Sequence, residues 1–372
     1  LIKAAHPGKD VTLSFDTRVQ YAAYRELARG VAEHNATAGV LVSLDVNTGE
    51  VLAMANLPSY NPNNRKQLTV DALRNRAVTD QFEPGSTLKP FTVAAALESG
   101  KFNVHSHFNT SPGTYKVLNK LIRDHENYGV IDMPTLLTKS SNVASAQIAM
   151  ALPRDTLPLL HRRLGFGHRT GSGFPGESAG SMQPSNRWNP VEIATMSYGY
   201  GVTVTALQLA QAYAVIASGG IQRPISFTKV TGPVPGKRIL DEKIARAIIP
   251  MMETVVTQEG TALRAAVPGY RIAGKTGTAH KAQGGGYASD AYMSLFVGMA
   301  PASAPRVVTA IIIDNPRQGG YYGGLAAAPV FSRMMSDTLR LMNIEPDRSA
   351  ERLAEQHRFP HPSTWARPGR EG

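Results

Sequence analysis

The sequence has no cysteine among its 372 residues, which excludes disulfides and thiolate metal sites and fits any compartment. Its ten histidines form no H-E-x-x-H or other tight ligand spacing, so neither a metal nor a cofactor is expected. No apolar run approaches the roughly 18 residues that span a bilayer. No internal repeat is present. Acidic residues are the minority, 28 against 39 Lys and Arg, for a net charge of +11. A solvated basic surface is the ordinary reading, with attraction to an anionic membrane face or polymer as the alternative. No nucleic-acid partner is expected. The apolar content, 42%, is that of a soluble globular protein. The chain opens at Leu1 rather than Met and is read as a fragment, with any signal or anchor lying upstream.

What is present is a set of three short motifs in order: Ser86-Thr87-Leu88-Lys89, Ser140-Ser141-Asn142 and Lys275-Thr276-Gly277-Thr278. They match the S-x-x-K, S-x-N, K-T-G triplet of serine enzymes that react with penicillin. None is informative alone. At average residue frequencies S-x-x-K and S-x-N each arise by chance roughly once in such a chain, and K-T-G about one time in ten. Order and context carry the inference. Ser86 follows Pro84-Gly85 and precedes an apolar run, Phe91 to Ser99, that Gly100 can end. Pro90 is tolerated only in a first helical turn, where the backbone N–H has no partner. The helix therefore starts at or beside Ser86, and Lys89 falls one turn on, on the same face. Ser140-Ser141-Asn142 opens a second apolar helix, Val143 to Leu152.

Competing matches fail on context. Ser226-Phe227-Thr228-Lys229 also fits S-x-x-K, but it reads as a strand, where residues three apart point to opposite faces. Ser59-Tyr60-Asn61 fits S-x-N within a Pro/Asn-rich loop. Gly176-Glu177-Ser178-Ala179-Gly180 fits the nucleophile elbow without a strand before it or a helix after it. Gly269 to Thr276 fits the phosphate-binding P-loop, whose chemistry needs a helix after it. Here Lys281-Ala282-Gln283-Gly284-Gly285-Gly286 follows instead, and cannot start one.

The pattern along the chain predicts an α+β fold. Asp16 can cap a helix over about 17–34, with Val19, Ala23, Leu27 and Val31 on one stripe. Residues 39–45 and 50–55 read as strands around the turn Asn47-Thr48-Gly49. Residues about 59–208 read as helices and long loops. Strands return at 270–278, 291–300 and 306–314, and an amphipathic helix covers about 328–342. An antiparallel sheet flanked by helices, carrying an all-helical subdomain, is expected over residues 1–345. Residues 346–372 read as a charged tail.

The motif residues permit a specific chemistry. Ser86 becomes a nucleophile when a base removes its proton. Lys89 can be that base only when neutral, which at pH 7 costs about 4–5 kcal/mol. Burial and a second positive charge, for which Lys275 is the candidate, supply much of that. The N-terminus of the Ser86 helix favours developing negative charge. Ser140 can relay a proton between Lys89 and a leaving amine, and Asn142 offers a donor and an acceptor to a substrate amide. Lys275, Thr276 and Thr278 suit a terminal carboxylate. A substrate backbone can pair alongside the strand if it lies at a sheet edge.

At these motifs the chain resembles class B penicillin-binding proteins, specifically the division-type (septal) peptidoglycan transpeptidases of Gram-negative bacteria. The matching stretches include Asp45-Val46-Asn47-Thr48-Gly49-Glu50-Val51-Leu52-Ala53-Met54, Tyr60-Asn61-Pro62-Asn63-Asn64-Arg65, Phe82-Glu83-Pro84-Gly85-Ser86, Gly173-Phe174-Pro175-Gly176-Glu177, Ser197-Tyr198-Gly199-Tyr200-Gly201 and Gly319-Gly320-Tyr321-Tyr322-Gly323-Gly324. The resemblance covers nearly all of residues 10–345. It implies a transpeptidase fold with the active site between sheet and helical subdomain. It also implies attack by Ser86 on the D-Ala-D-Ala end of a stem peptide, release of D-Ala, and transfer of the acyl group to a neighbouring amine. β-Lactams would trap Ser86. The oxyanion hole would be the backbone N–H groups of Ser86 and Thr278. Thr276, Gly277 and Thr278 would bind substrate, with Tyr198, Tyr200, Tyr321 and Tyr322 bordering the cleft. Also implied are a septal glycosyltransferase and other division proteins as partners, and a periplasmic location on the inner membrane through an N-terminal helix absent from this chain. Some division-type relatives carry a basic residue, often Arg, where this chain has His280. The alternative on the same fold is a β-lactamase or D,D-carboxypeptidase. Class A β-lactamases have S-D-N where this chain has Ser141 in the middle, and class D enzymes have S-x-V where it has Asn142.

Overall fold

The computed structural model describes residues 8–348 apart from 65, 67, 185–187 and 284–285. Arg65 of the resembling stretch and residues 349–372 of the expected tail therefore lie outside the described residues.

Five strands make the main sheet: β1 (Ala38–Asp45), β2 (Val51–Leu57), β3 (Ala273–Gln283), β4 (Gly286–Ala300) and β5 (Val307–Asp314). Their order is β2-β1-β5-β4-β3, with every neighbouring pair antiparallel. Every residue of β1 is buried, so both of its faces are covered. Helix α1 (Thr17–Glu33) packs on β1 and β2, and its own Val19, Ala23 and Leu27 are buried. The Asp16 carboxylate caps it, accepting from the N–H groups of Arg18 and Val19 at 2.9 and 3.4 Å.

The other face carries the helices that build the site. These are α2 (Lys89–Glu98), α3 (Met133–Lys139), α4 (Asn142–Ala151), α5 (Ala206–Ala217) and α6 (Glu242–Glu253). α5 is buried almost all round and packs on β1, β4 and β5. α6 packs on α2, α3, α5 and β3, joining the helical region to the edge of the sheet. The final helix, α7 (Ala328–Leu341), lies against α1.

Three expectations change. The region 59–208 is not all helix and loop: His107–Asn109 pairs with Val130–Asp132, and Thr114–Val117 with Lys120–Arg123. The second pair buries Val117 and Ile122, with Tyr115 packed against the same cluster, while Lys116, Lys120, Leu121 and Arg123 are exposed, an alternation that marks a half-buried hairpin. The strand carrying Lys275 starts at Ala273, because Tyr270 closes a turn onto Val267 (N–H to carbonyl, 3.1 Å), and it runs on to Gln283. That continuation removes the P-loop reading, which needs a helix there. Finally, residues 226–229 are not a strand. Only isolated bridges form at Ser226 and Thr228, and Lys229 pairs with Glu50 at 3.2 Å. Beyond the expected boundary at residue 345, the Asp347 carboxylate accepts from the N–H groups of Arg271 and Ser303 at 2.6 and 3.1 Å.

Candidate active site

Ser86 sits in a 3₁₀ turn, Gly85–Leu88, that runs directly into α2 with Pro90 in the helix's first turn. The turn is held from several directions. Phe82 and Val204 exchange backbone hydrogen bonds of 3.1 and 2.9 Å, and the Gly85 N–H donates to Gly199 O at 3.1 Å. The buried Tyr213 hydroxyl donates to Thr87 O at 2.7 Å. Two glycines are dictated by close approach. A Cβ on Gly199 would lie 1.9 Å from Gly85 O, and one on Gly277 would lie 2.9 Å from Pro84 O. Gly277 thus lets β3 lie against the Ser86 turn. Ser86 itself is partly exposed, and its hydroxyl has no hydrogen-bond partner among the described residues.

Beneath it lie two lysines, Lys89 and Lys275, each with 0% of its surface exposed. Both ammonium nitrogens reach the same atom, Ser140 Oγ, at 3.0 Å. Lys89 Nζ also donates to Asn142 Oδ1 at 2.8 Å and to the Ser140 carbonyl. Burial pushes Lys89 well below its ordinary value, and the positive charge of Lys275 adds to that. The Asp124 carboxylate opposes it. Burial lowers Lys275 to about 7. A neutral Lys89 closes the valence count. Its two hydrogens go to the Asn142 and Ser140 carbonyl oxygens, and its lone pair accepts from Ser140 Oγ–H, which in turn accepts from Lys275.

Ser140 ends α3 in the left-handed conformation, φ 59° and ψ 43°, with its N–H donating to Leu136 O. A non-glycine residue there costs roughly 1–2 kcal/mol. Glycine would be easier for the backbone but would leave both lysines without their shared hydroxyl.

The sequence reading missed Asp124. It follows the Thr114–Arg123 hairpin, and its carboxylate covers the start of α4. It accepts from Ser141 Oγ at 2.6 Å and from the N–H groups of Asn142 and Val143 at 2.5 and 3.0 Å. Ser141 Oγ accepts in turn from the Ala144 N–H at 3.0 Å. Asn142 is thereby fixed with its amide carbonyl toward Lys89 and its amide nitrogen donating to Arg123 O at 3.0 Å. Asp124 is 17 residues from Ser141, so no local capping pattern could reveal it.

Ser86, Ser140, Asn142, Thr276, Thr278, Tyr200, Tyr321 and Tyr322 line one cavity of about 690 Å³. Lys89, Gly277 and Lys275 lie behind that lining. On β3 the side chains alternate, so Thr276, Thr278 and His280 face the cavity while Lys275 and Gly277 face away. The Lys275 ammonium meets Ser140 Oγ at 3.0 Å and also lies 3.5 Å from Thr276 Oγ1, so its charge sits at the base of the threonine pair. Tyr198 departs from its expected place at the cleft. It is packed with Val117, Ile122, Ala146 and Ala194, edge-on to Tyr200. The cleft wall contains Tyr292 instead, which was not anticipated. It pairs across the sheet with His280 and stacks on Tyr321 at 3.9 Å between ring centres. Among the described residues no cluster of three or more His, Asp or Glu could hold a metal.

Comparison with known proteins places this geometry in a family. Residues 39–336 match the penicillin binding protein transpeptidase domain. The chain belongs to that family. As a member it is 47% identical over 345 residues to a peptidoglycan D,D-transpeptidase, FtsI, of Escherichia coli K12, covering 93% of this chain and 58% of that protein. It is 43% identical over 344 residues to a probable peptidoglycan D,D-transpeptidase, PenA, of Neisseria gonorrhoeae, covering 92% and 59%. The chain thus spans a little under three-fifths of these relatives. The apo transpeptidase domain of penicillin-binding protein 3 from Burkholderia pseudomallei superposes with a TM-score of 0.84 at 39% identity, covering 92% of this chain and all of that one.

Proposed function

We propose that this chain is a serine D,D-transpeptidase that cross-links peptidoglycan stem peptides through an acyl-enzyme on Ser86. The observation that carries this reading is the convergence on Ser140 Oγ of two fully buried lysines, one of which, Lys89, lies one turn along the chain from Ser86.

The chemistry runs as follows. With the donor bound, the lone pair of neutral Lys89 turns from Ser140 Oγ to the Ser86 hydroxyl and takes its proton as Oγ attacks the carbonyl carbon of the penultimate D-Ala. The oxyanion is held by the backbone N–H groups of Ser86 and Thr278. The peptide C–N bond then breaks. The proton on Lys89 passes through Ser140 Oγ to the departing amine, D-Ala leaves, and an ester on Ser86 remains. An acceptor amine attacks that ester, loses its proton along the same path, and Ser86 regains its hydrogen. The hydroxyls of Thr276 and Thr278, with the Lys275 charge behind them, attract the donor's terminal carboxylate. Asn142 orients the donor amide, Gly277 admits the close approach, and the tyrosines at the rim contact the stem. β3 is an edge strand of the sheet, free to pair with an extended peptide. A β-lactam enters as the donor does and stays on Ser86.

Among the described residues no carboxylate side chain lines the cavity. The relatives' names support peptidoglycan D,D-transpeptidase activity, and the resemblance to division-type enzymes extends the proposal to septal wall synthesis, with a septal glycosyltransferase and other division proteins as partners. It also places the enzyme on the periplasmic face of the inner membrane, anchored by a helix outside this chain. No described helix is long and apolar enough to cross a membrane. The test is a thioester analogue of the donor supplied with a D-amino acid. Formation of the new amide in preference to hydrolysis is expected. Hydrolysis alone, unaffected by the amine, would overturn the transfer reading.

A further inference from the structure

The cavity is not uniform along β3. Thr276, Thr278 and His280 line it at alternate positions, which spreads them over about 13 Å at ~3.3 Å per residue. Aromatic rings crowd the His280 end, where His280 lies 4.6 Å from Tyr292, and Tyr292 stacks on Tyr321. The Thr276 end is different. There the Thr261 hydroxyl bonds to that of Thr276 at 2.6 Å, tying the segment after α6 to the strand. Three residues on, within the 3₁₀ turn Leu263–Ala265, is Arg264. Its side chain lines the same cavity and is exposed, and it makes no ion pair or hydrogen bond among the described residues. Glu259, close in sequence, is already paired with Lys139 at 2.8 Å. A permanent cation thus lines the cavity, acid-free among the described residues, in the segment that Thr261 ties to the Thr276 end.

We infer that Arg264 is an acceptor-side specificity residue, holding a second carboxylate of the peptide whose amine resolves the acyl-enzyme. This rests on the transpeptidase reading. In a transfer reaction the incoming amine takes the place of the leaving one. The leaving amino acid carries its carboxylate next to its amine, on the hydroxyls of Thr276 and Thr278. An acceptor amine with an adjacent carboxylate uses that same anchor, and the rest of the acceptor then extends past Thr276 toward Arg264. The planar guanidinium suits a bidentate carboxylate contact. The donor stem, on the other side of Ser86, does not reach it.

The experiment uses the intact chain, a thioester donor, and two acceptors: a peptide with a second free carboxylate, and the same peptide with that carboxylate amidated. For the wild type, the transfer-to-hydrolysis ratio is expected to favour the free acid roughly tenfold, equivalent to about 1.4 kcal/mol. Arg264→Ala should reduce that preference to less than about twofold and Arg264→Lys should keep part of it. The rate of acylation by benzylpenicillin should stay within about twofold in both variants, since Arg264 touches only the acceptor side. Equal use of both acceptors by the wild type, an undiminished preference in Arg264→Ala, or a parallel loss of acylation would each overturn the inference. A wild type that forms no acyl-enzyme at all would instead sink the transpeptidase reading itself.

Discussion

The floor and the rim of this cavity are built on opposite principles. The floor is polar and closely packed. Lys89 and Lys275 are fully buried, Ser140 is held in a disfavoured backbone conformation, and both lysines bond to its hydroxyl. The rim is open, lined by Tyr200 and by a run of rings in contact, His280, Tyr292, Tyr321, Tyr322 and His125. Buried charge is expensive for the fold, so the floor admits one arrangement and serves proton transfer. Ring contacts tolerate shape changes, so the rim serves recognition. The difference implies that floor substitutions alter reaction rate while rim substitutions alter which ligand reacts.

Removing the base tests that division most severely. Lys89→Ala should lower the second-order rate of penicillin acylation at least ~10³-fold, measured by stopped flow. A loss below tenfold would move the base elsewhere. Ser140 comes next. Ser140→Ala and Ser140→Gly both delete the shared hydroxyl and should slow acylation about 10²-fold. Glycine should leave the protein more stable than alanine by about 1 kcal/mol in urea unfolding, because only it fits the left-handed site without strain. Equal stabilities would show that the conformation at Ser140 carries no cost. Asp124→Asn should be milder, about tenfold in rate with a loss of 1–3 kcal/mol in stability, since it loosens Ser141 and Asn142 without touching substrate. Tyr321→Ala should change acylation by any one β-lactam less than about fivefold while reordering preference among several, as removal of a stacking ring does. A uniform large loss would mean that the rim shapes the floor.

A buried titratable group outside the cavity sharpens the contrast. His161 is fully buried, neither ring nitrogen has a hydrogen-bond partner among the described residues, and burial lowers it to about 4 from 6.5. The unfolded chain takes up a proton as pH falls below 6.5 and the folded one does not until about 4. The stability is therefore whole above 6.5 and lost as pH falls through 4, by about 3 kcal/mol. His161→Leu should flatten the fall in urea midpoint between pH 7 and 4.5 and leave acylation unchanged. An unaltered pH dependence would place the acid sensitivity elsewhere.

How much of this was legible in the sequence depended on range. Pro90 located the Ser86 helix because a proline is allowed in one place only, and the observed α2 obeys it. The spacing Ser86 to Lys89 was local and therefore readable. That Lys89, Ser140 and Lys275 meet at one hydroxyl follows from tertiary packing, and only the motif order hinted at it. Asp124 and Tyr292 were missed because their partners are remote or across a strand pair. Tyr198 was expected at the cleft because it neighbours Tyr200 in the resembling stretch, yet its ring turns into a small apolar cluster. The short hairpins were missed because pairs of only three or four residues give too little alternation to distinguish from loop.

The most direct test of the central claim is an intact-mass time course of the wild type and Ser86→Ala with a penicillin. The account predicts a stoichiometric adduct that persists for many minutes on the wild type and is absent from the variant. An adduct that disappears while the drug is consumed would contradict the transfer chemistry, and an adduct that survives Ser86→Ala would contradict the nucleophile.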